Sequence, residues 1–189
     1  MLTSLIFGAL AALGGSIAAL ADDLSLSAVQ DWYLLPEPDQ SDWSNKRRSG
    51  YAKMTENSLG VPEAVLKVPD LGLSVAVYDN AQRPALELGA GWVEGTAKPG
   101  ESGNVAIAGH RDGFFRPLEQ IRTGQEIVLV TAEQSLRYLV DDVSIVDPLD
   151  VSVLEPSSQS MLTLITCYPF RYVGFAPDRY IVRARLLNE

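Results

Sequence analysis

The chain has 189 residues, of which 47% are hydrophobic, and this is enough to bury a core without support from metals or disulfides. It contains one cysteine and one histidine, so it has no pair for an internal disulfide and no cluster spaced to hold zinc or iron. The formal net charge of −9 would repel the phosphates of a nucleic acid. We therefore expect one folded domain that needs no metal or other cofactor and binds no nucleic acid.

The first 21 residues are predominantly apolar and carry no charged side chain. A helix of this length would extend about 30 Å, at about 1.5 Å per residue, which matches the hydrocarbon core of a bilayer. We predict a retained membrane anchor over residues 1–21, and hence a single-pass protein of the cytoplasmic (inner) membrane with an extracytoplasmic domain. A cleaved signal peptide is an alternative, because Ala19-Leu20-Ala21 fits a small-x-small cleavage site, and a buried core helix is a third.

Residues 22–63 are predicted to be a linker or stalk. They include the stretch PEPDQSDWSNKRRSG, which combines proline, serine and charge with little periodic apolar pattern. An apolar exception, Trp32 to Leu35, is expected to pack on the following domain or to lie at the membrane interface.

From residue 64 onward the sequence predicts strands, because short runs rich in β-branched residues alternate with Gly, Pro, Asp and Asn. Predicted helical stretches are short and cover Ala81–Leu88 and Phe115–Ile121. Seven or eight strands with so little helix predict an all-β barrel or sandwich over residues 64–189. The strand-like runs are AVLKVPDLGLSVAVYD (two strands), NVAIAGHR, QEIVLVTA, SLRYLVDDVSIVD, MLTLITCY and RYIVRARLL.

Two residues with catalytic chemistry fall at the ends of predicted strands. His110 follows the run NVAIAG, and Cys167 ends the run TLITC. Strand ends lie at the rim of a β-fold, where loops form sites, so these two side chains can meet. A thiol is mostly protonated at neutral pH, and a neighbouring imidazole or guanidinium favours the nucleophilic thiolate. Acyl transfer also needs donors or positive charge where the oxyanion forms, and Arg179 is the candidate.

The last strand allows a partial test of Arg179, since alternate residues point to opposite faces. Tyr180, Val182, Ala184 and Leu186 form the apolar face, and the arginines lie on the other face with Ile181. Periodicity does not choose among the three arginines, Arg179, Arg183 and Arg185, but Arg179 is nearest to the start of the strand. Each of the three residues also has an alternative without a catalytic role. Cys167 could be a buried core residue, His110 a structural histidine and Arg179 a solvated arginine.

Three segments of the chain resemble the sortase family. TLITCYPF resembles its TLxTC signature, AIAGHRDGFFRPL its histidine segment and APDRYIVRARL its arginine strand. They occur in the family's order, with 57 positions from His110 to Cys167 and 12 from Cys167 to Arg179. The details are most similar to class D and related Gram-negative-type sortases, and the resemblance covers residues 64 to 185.

The resemblance implies an eight-stranded β-barrel preceded by an N-terminal transmembrane helix, and the activity of a cysteine transpeptidase. Its substrates would be secreted proteins with a C-terminal LPxTG-like sorting signal, cleaved after threonine through a thioacyl intermediate and transferred to an amine. Cys167 would be the nucleophile, His110 the acid and base, and Arg179 the donor to the oxyanion. Thr166 would help to orient the threonyl group. Because His110 must be protonated while Cys167 is ionised, a bell-shaped pH profile is expected.

Two other classes of protein are alternatives to a sortase. An L,D-transpeptidase would also be an all-β extracytoplasmic cysteine enzyme, but its cysteine is expected in an SHGC-like loop, and the sequence has none. A non-catalytic membrane-anchored β-barrel that binds a peptide or an envelope component is the other alternative. The sequence does not specify the letters of the sorting motif or the acceptor amine. No cofactor is expected, and calcium dependence, which some sortases have, is left open because a calcium site cannot be inferred from scattered carboxylates.

Overall fold

Eight β-strands close into one barrel in the computed structural model of the chain, which describes residues 35–55, 61–172 and 174–187. Around the barrel the strands follow the order β1-β2-β3-β4-β7-β8-β6-β5. This confirms the predicted eight-stranded all-β barrel with short helices. The strands are β1 (Ala64–Val68), β2 (Leu73–Tyr78), β3 (Ala90–Trp92), β4 (Asn104–Gly109), β5 (Glu126–Thr131), β6 (Ser135–Val146), β7 (Met161–Tyr168) and β8 (Asp178–Leu186).

Five short helical segments connect or precede the strands in the described ranges. Two are α-helices, α1 (Asn45–Thr55) and α2 (Arg83–Leu88), and three are 3₁₀ helices, Pro69–Leu71, Arg116–Gln120 and Ser152–Leu154. The helical stretches predicted at 81–88 and 115–121 are therefore both present, each slightly shorter than expected. None of the helices in the described ranges has the length and apolar character needed to cross a bilayer. The predicted anchor, residues 1–21, lies outside the described residues.

The barrel interior is filled by alternate side chains of the strands. Val105 and Ile107 of β4 and Leu162 and Leu164 of β7 are fully buried there. Each such side chain contributes about 1.5–3 kcal/mol through removal of its apolar surface from water. The period of two predicted for the last strand is confirmed, since its apolar set also faces this core: Tyr180, Val182, Ala184 and Leu186.

Strand β3 was not among the runs predicted from the sequence. It has only three residues, Ala90 to Trp92, and none of them is β-branched, so it produces no strand signal. It pairs in parallel with β2 and antiparallel with β4, and thus joins the first hairpin to the rest of the barrel.

Part of the predicted linker is folded against the barrel. Helix α1 begins after Ser44, whose Oγ accepts a 3.1 Å hydrogen bond from the backbone N–H of Arg47, as in an N-cap. Trp43 is only 5% exposed, and its ring packs edge-on against Phe114 at 4.9 Å between centroids. Leu35, the one described residue of the apolar exception, packs against β1 and β5. The domain boundaries at 21 and 63 stay a prediction.

Candidate active site

Strands β4, β7 and β8 are neighbours in the barrel and bring the predicted catalytic residues together. Cys167 on β7 lies directly opposite Arg179 on β8. Strand β4 runs parallel to β7 with Ala108 opposite Ile165, and His110 comes two residues after Ala108, just as Cys167 comes two after Ile165. The parallel pairing therefore brings His110 to the same end of the sheet as Cys167, on the side of β7 away from Arg179.

The three residues share the outer face of the barrel wall. On β7, Leu162 and Leu164 point into the core, so Cys167, at an odd position, points outward. The same alternation applies to His110 after β4 and to Arg179 on β8. The candidate site is therefore on the outer wall, near the strand ends, where a bound chain has access to a half-buried thiol.

Aromatic side chains pack together at the cysteine end of β7. Tyr168 stacks on Tyr180 with 6.0 Å between ring centroids, and Phe170 packs edge-on against Tyr180 at 5.0 Å. Arg116, in the 3₁₀ helix after the histidine, donates a 2.9 Å hydrogen bond from Nη1 to the backbone oxygen of Phe170. The segments that carry the thiol and the imidazole are thus bound to each other.

His110 is held in an environment that keeps its imidazole neutral. Burial lowers the pKa of His110 from 6.5 to about 4; the positive charge of Arg47 adds to this, while Glu87 and Asp112 oppose it. Its Nε2 atom is buried and has no hydrogen-bond partner in the described part of the chain. Unpaired buried polar atoms are rare, and this one leaves a ring nitrogen available for proton transfer.

The direction of the histidine loop is fixed by a close approach at Gly109. A Cβ atom at this position would lie 2.7 Å from two ring atoms of the fully buried Phe115. The backbone N–H groups of Gly113 and Phe115 both donate to the carbonyl oxygen of His110, at 3.2 and 3.3 Å. The chain therefore turns sharply after β4, with His110 at the corner.

Thr166 lies on the core side of β7, on the face opposite to Cys167. Its side chain is buried, and Oγ1 donates a 2.7 Å hydrogen bond to the backbone oxygen of Gly109, the residue before His110. The hydroxyl thus joins the cysteine strand to the histidine strand at the site itself. The substrate-orienting role that the sequence suggested for Thr166 stays a prediction.

We predict that Thr166→Val destabilises the protein and loosens the link between β4 and β7. The near-isosteric change removes the donor to a buried carbonyl, which costs about 1–3 kcal/mol and should lower Tm by several degrees. Thr163→Val is a matched control. Thr163 is a buried threonine of the same strand, and its Oγ1 donates a 2.7 Å hydrogen bond to Oδ1 of Asn104, away from the site. Thermal unfolding should show a lower Tm for both variants. The NMR signal of His110 should move only in Thr166→Val. Equal movement in both would contradict the prediction.

Sequence reasoning missed three arginines that surround the site. Arg111 donates from Nη2 to the backbone oxygens of Tyr172 at 3.1 Å and Gly174 at 2.9 Å, and its guanidinium lies 5.7 Å from the ring centroid of Tyr172. It therefore binds the histidine loop to the β7–β8 loop that leads to Arg179. Arg116 is the second arginine and Arg47, in α1, the third; the sequence signal, RDGFFR and KRR, was only a cluster of charge.

The fold and the site together define a closed β-barrel with cysteine, histidine and arginine side by side on its outer wall. Residues 66–187 match the family model of the sortase domain. The chain belongs to the sortase family, which confirms the resemblance found in the sequence.

Individual relatives agree with a class D-like member. The chain is 32% identical to sortase D of Bacillus subtilis over 124 residues, which are 65% of this chain and 63% of that relative. Among solved structures, a Clostridium perfringens sortase D5 transpeptidase is similar with a TM-score of 0.62 and 28% identity, over 75% of this chain and 89% of that one. A sortase E variant from Streptomyces avermitilis has a TM-score of 0.59 and 30% identity, over 67% and 88% of the two chains.

Proposed function

We propose that the protein is a cysteine transpeptidase that cleaves an LPxTG-like C-terminal sorting signal after its threonine and transfers the protein to an amine. The observation that carries this proposal is the pairing of Cys167 with Arg179 across β7 and β8, with His110 directly after the adjoining strand β4. Family membership and the printed description of the Clostridium perfringens relative as a transpeptidase support it.

The first half-reaction begins with a neutral imidazole, because the pKa of His110 is about 4. This starting state differs from the protonated histidine and ionised cysteine that the sequence led us to expect. His110 accepts the thiol proton of Cys167, and the sulfur forms a bond to the carbonyl carbon of the signal's threonine. The carbonyl oxygen takes the electron pair and becomes an oxyanion. When the C–N bond breaks, the imidazolium gives its proton to the departing amine, and a thioester remains.

The second half-reaction reverses this proton movement. An incoming amine attacks the thioester carbonyl, and His110 accepts the proton that the amine loses. The C–S bond then breaks, the proton returns to the sulfur of Cys167, and a new amide bond joins the two proteins. The low pKa of His110 keeps the ring unprotonated at neutral pH, so the ring can accept the proton, but it also makes the imidazole a weaker base.

Apolar side chains beyond the site offer a surface for the sorting signal. Strand β6 pairs with β8 on the far side from β7, and its last residue, Val146, lies opposite Arg179. The connection that follows exposes Leu149 and Val151 at 87% and 68%. Exposed large apolar residues beside a reactive centre are typical of a binding groove, and the leucine and proline of an LPxTG-like signal fit that chemistry.

We predict that Arg179→Gln lowers kcat/KM for a sorting peptide by about 10²–10³-fold, because loss of one oxyanion donor has this size of effect. Arg179→Lys should be intermediate, since it keeps the charge and loses the planar fork. Peptide cleavage followed by chromatography measures both. Arg185→Gln is the matched control, because Arg185 lies on the same strand opposite Met161, at the other end of β7. An Arg179→Gln protein within threefold of the wild type would exclude the proposed role.

The proposed setting is the outer face of the cytoplasmic (inner) membrane, with residues 1–21 as a single-pass anchor and the barrel outside the cytoplasm. Its partners would then be secreted proteins that carry the sorting signal, together with an amine on the acceptor. The absence of charge from residues 1–21 supports this arrangement.

The deciding experiment uses the whole chain and intact-mass spectrometry. An LPxTG-type peptide should add the mass of its acyl part to the protein, and a small amine such as glycine amide should remove it. Because the chain has one cysteine, the site of a thioester adduct is unambiguous. An adduct with a peptidoglycan stem peptide instead would indicate an L,D-transpeptidase. Peptide binding without any adduct would indicate a non-catalytic binding barrel.

A further inference from the structure

A buried ion cluster connects α1, α2 and the histidine loop. The guanidinium of Arg47 in α1 lies between two carboxylates: Nη1 is 2.6 Å from Glu87 of α2, and Nη2 is 3.1 Å from Asp112, two residues after His110. Its Nε also donates to Asp112, at 3.3 Å. The side chains of Arg47 and Glu87 are only 9% and 10% exposed. Desolvation of such charges is costly, so their arrangement depends on close pairing.

The packing around Arg47 fixes its position against the histidine loop. Ser44 donates from Oγ to the other oxygen of Asp112 at 3.1 Å, so α1 holds that carboxylate from two residues. Gly113 leaves room for the arginine, since a Cβ there would lie 3.1 Å from Arg47 Cδ. Phe114, the next residue of the loop, packs edge-on against Trp43 and Tyr51. Helix α1 therefore clamps the loop from outside the barrel.

Charges on both helices and on the loop also act on the imidazole of His110. From α1, Arg47 and Lys46 disfavour the protonated ring. Glu87 of α2 and Asp112 of the loop favour the protonated ring. Burial is the largest influence and leaves the pKa at about 4, so the two signs of charge adjust the proton affinity of the ring in opposite directions.

We propose that Arg47, anchored by Asp112 and Glu87, is a positioning residue that holds His110 for proton exchange with Cys167. Helix α1 would then be part of the active centre, although it lies before the segment 66–187 that matches the family model. This inference rests on the proposed function, because it assigns His110 the role of acid and base. Arg47 itself contacts no reacting atom in this account and acts through the loop.

The test follows the one histidine of the chain by NMR. The full chain, without an affinity tag and labelled with ¹³C-histidine, gives one ring signal whose position is recorded between pH 3 and 8. Arg47→Met removes a positive charge that disfavours the protonated ring and leaves Glu87 and Asp112 without their arginine partner from α1, so the pKa of His110 should rise from about 4. Asp112→Asn and Glu87→Gln each remove a charge that favours imidazolium, so the pKa should fall.

A matched control variant and a rescue variant distinguish an effect on the position of His110 from an effect on the stability of the whole protein. Arg48→Met changes the next arginine of the same helix, which is exposed and bonds only locally to Gln40 and Asn45 in the described residues, and should leave the titration unchanged. With an LPxTG-type peptide, Arg47→Met should lower kcat by about tenfold or more with KM within about twofold, because a misplaced catalytic group is costly. Arg47→Lys should recover part of kcat.

Two results would overturn the inference. One is an unchanged pKa of His110 in Arg47→Met. If that variant does not fold, an unchanged pKa in both Asp112→Asn and Glu87→Gln has the same meaning. The other is movement of the pKa in the same direction in all three variants, which would indicate only loosening of the loop. The titration needs no peptide. Its result therefore remains valid even if no peptide is cleaved and the proposed function is wrong.

Discussion

Cys167→Ala is expected to abolish thioester formation and to lower cleavage of a sorting peptide by about 10⁴-fold or more, because no other atom in the site can form the covalent bond. The chain has a single cysteine, so no second thiol can replace it. Intact-mass spectrometry of the variant after incubation with peptide should show the unmodified protein, and chromatography should show intact peptide.

The variant should still fold and bind. Cys167 is only half-buried and lies on the outer wall, so removal of its sulfur leaves the barrel core untouched and Tm within a few degrees. Peptide affinity, measured by calorimetry, should remain within about threefold of the wild type, since the exposed surface of the β6–β7 connection is unchanged. Cleavage at the wild-type rate by Cys167→Ala would show that the reaction does not depend on this thiol.

His110→Gln is expected to have the second largest effect, a loss of about 10²–10⁴-fold in kcat/KM. Glutamine keeps a polar side chain of similar reach but cannot take up and return a proton. Both half-reactions need that exchange, so thioester formation and its release by an amine should slow together. A variant that formed the thioester normally but released it slowly would limit His110 to the second half-reaction.

The pH dependence gives this variant a second readout. In the free protein His110 is protonated only below its pKa of about 4, and an imidazolium cannot accept the thiol proton. Activity should therefore fall as pH decreases through about 4, and not near the usual histidine value of 6.5. The residual activity of His110→Gln should lack this acid limb. An acid limb near 6.5 in the wild type would contradict the environment described for the ring.

The barrel was predictable from the sequence because most of its strands depend on short-range patterns. Runs of β-branched residues define most strands, and a period of two separates core from outer wall along each one. The positions of His110, Cys167 and Arg179 at strand ends follow from the same runs. Their order across the sheet does not follow from these runs, because the parallel pairing of β4 with β7 joins segments that are far apart in the chain.

The N-terminal helix shows why the rest was not predictable. The sequence of α1, NKRRSGYAKMT, has no apolar stripe, and its most buried described residue is Arg47. A charged residue becomes a core residue only when its partners are in place, and here they are 40 and 65 positions further along the chain. Propensity and periodicity contain no information on such distant pairs.

The direct pairing of β4, β7 and β8 has a consequence for the lifetime of the site. Cys167 and Arg179 face each other across the hydrogen-bonded ladder of β7 and β8, and a slip of one residue would turn both side chains into the core. His110 instead follows the last residue of β4, so its position depends on the turn as well as on the ladder. Amide hydrogens of the ladder around Cys167 should therefore exchange with solvent more slowly than those of the histidine loop, and the cysteine–arginine pair should persist through openings of the loop that displace the imidazole.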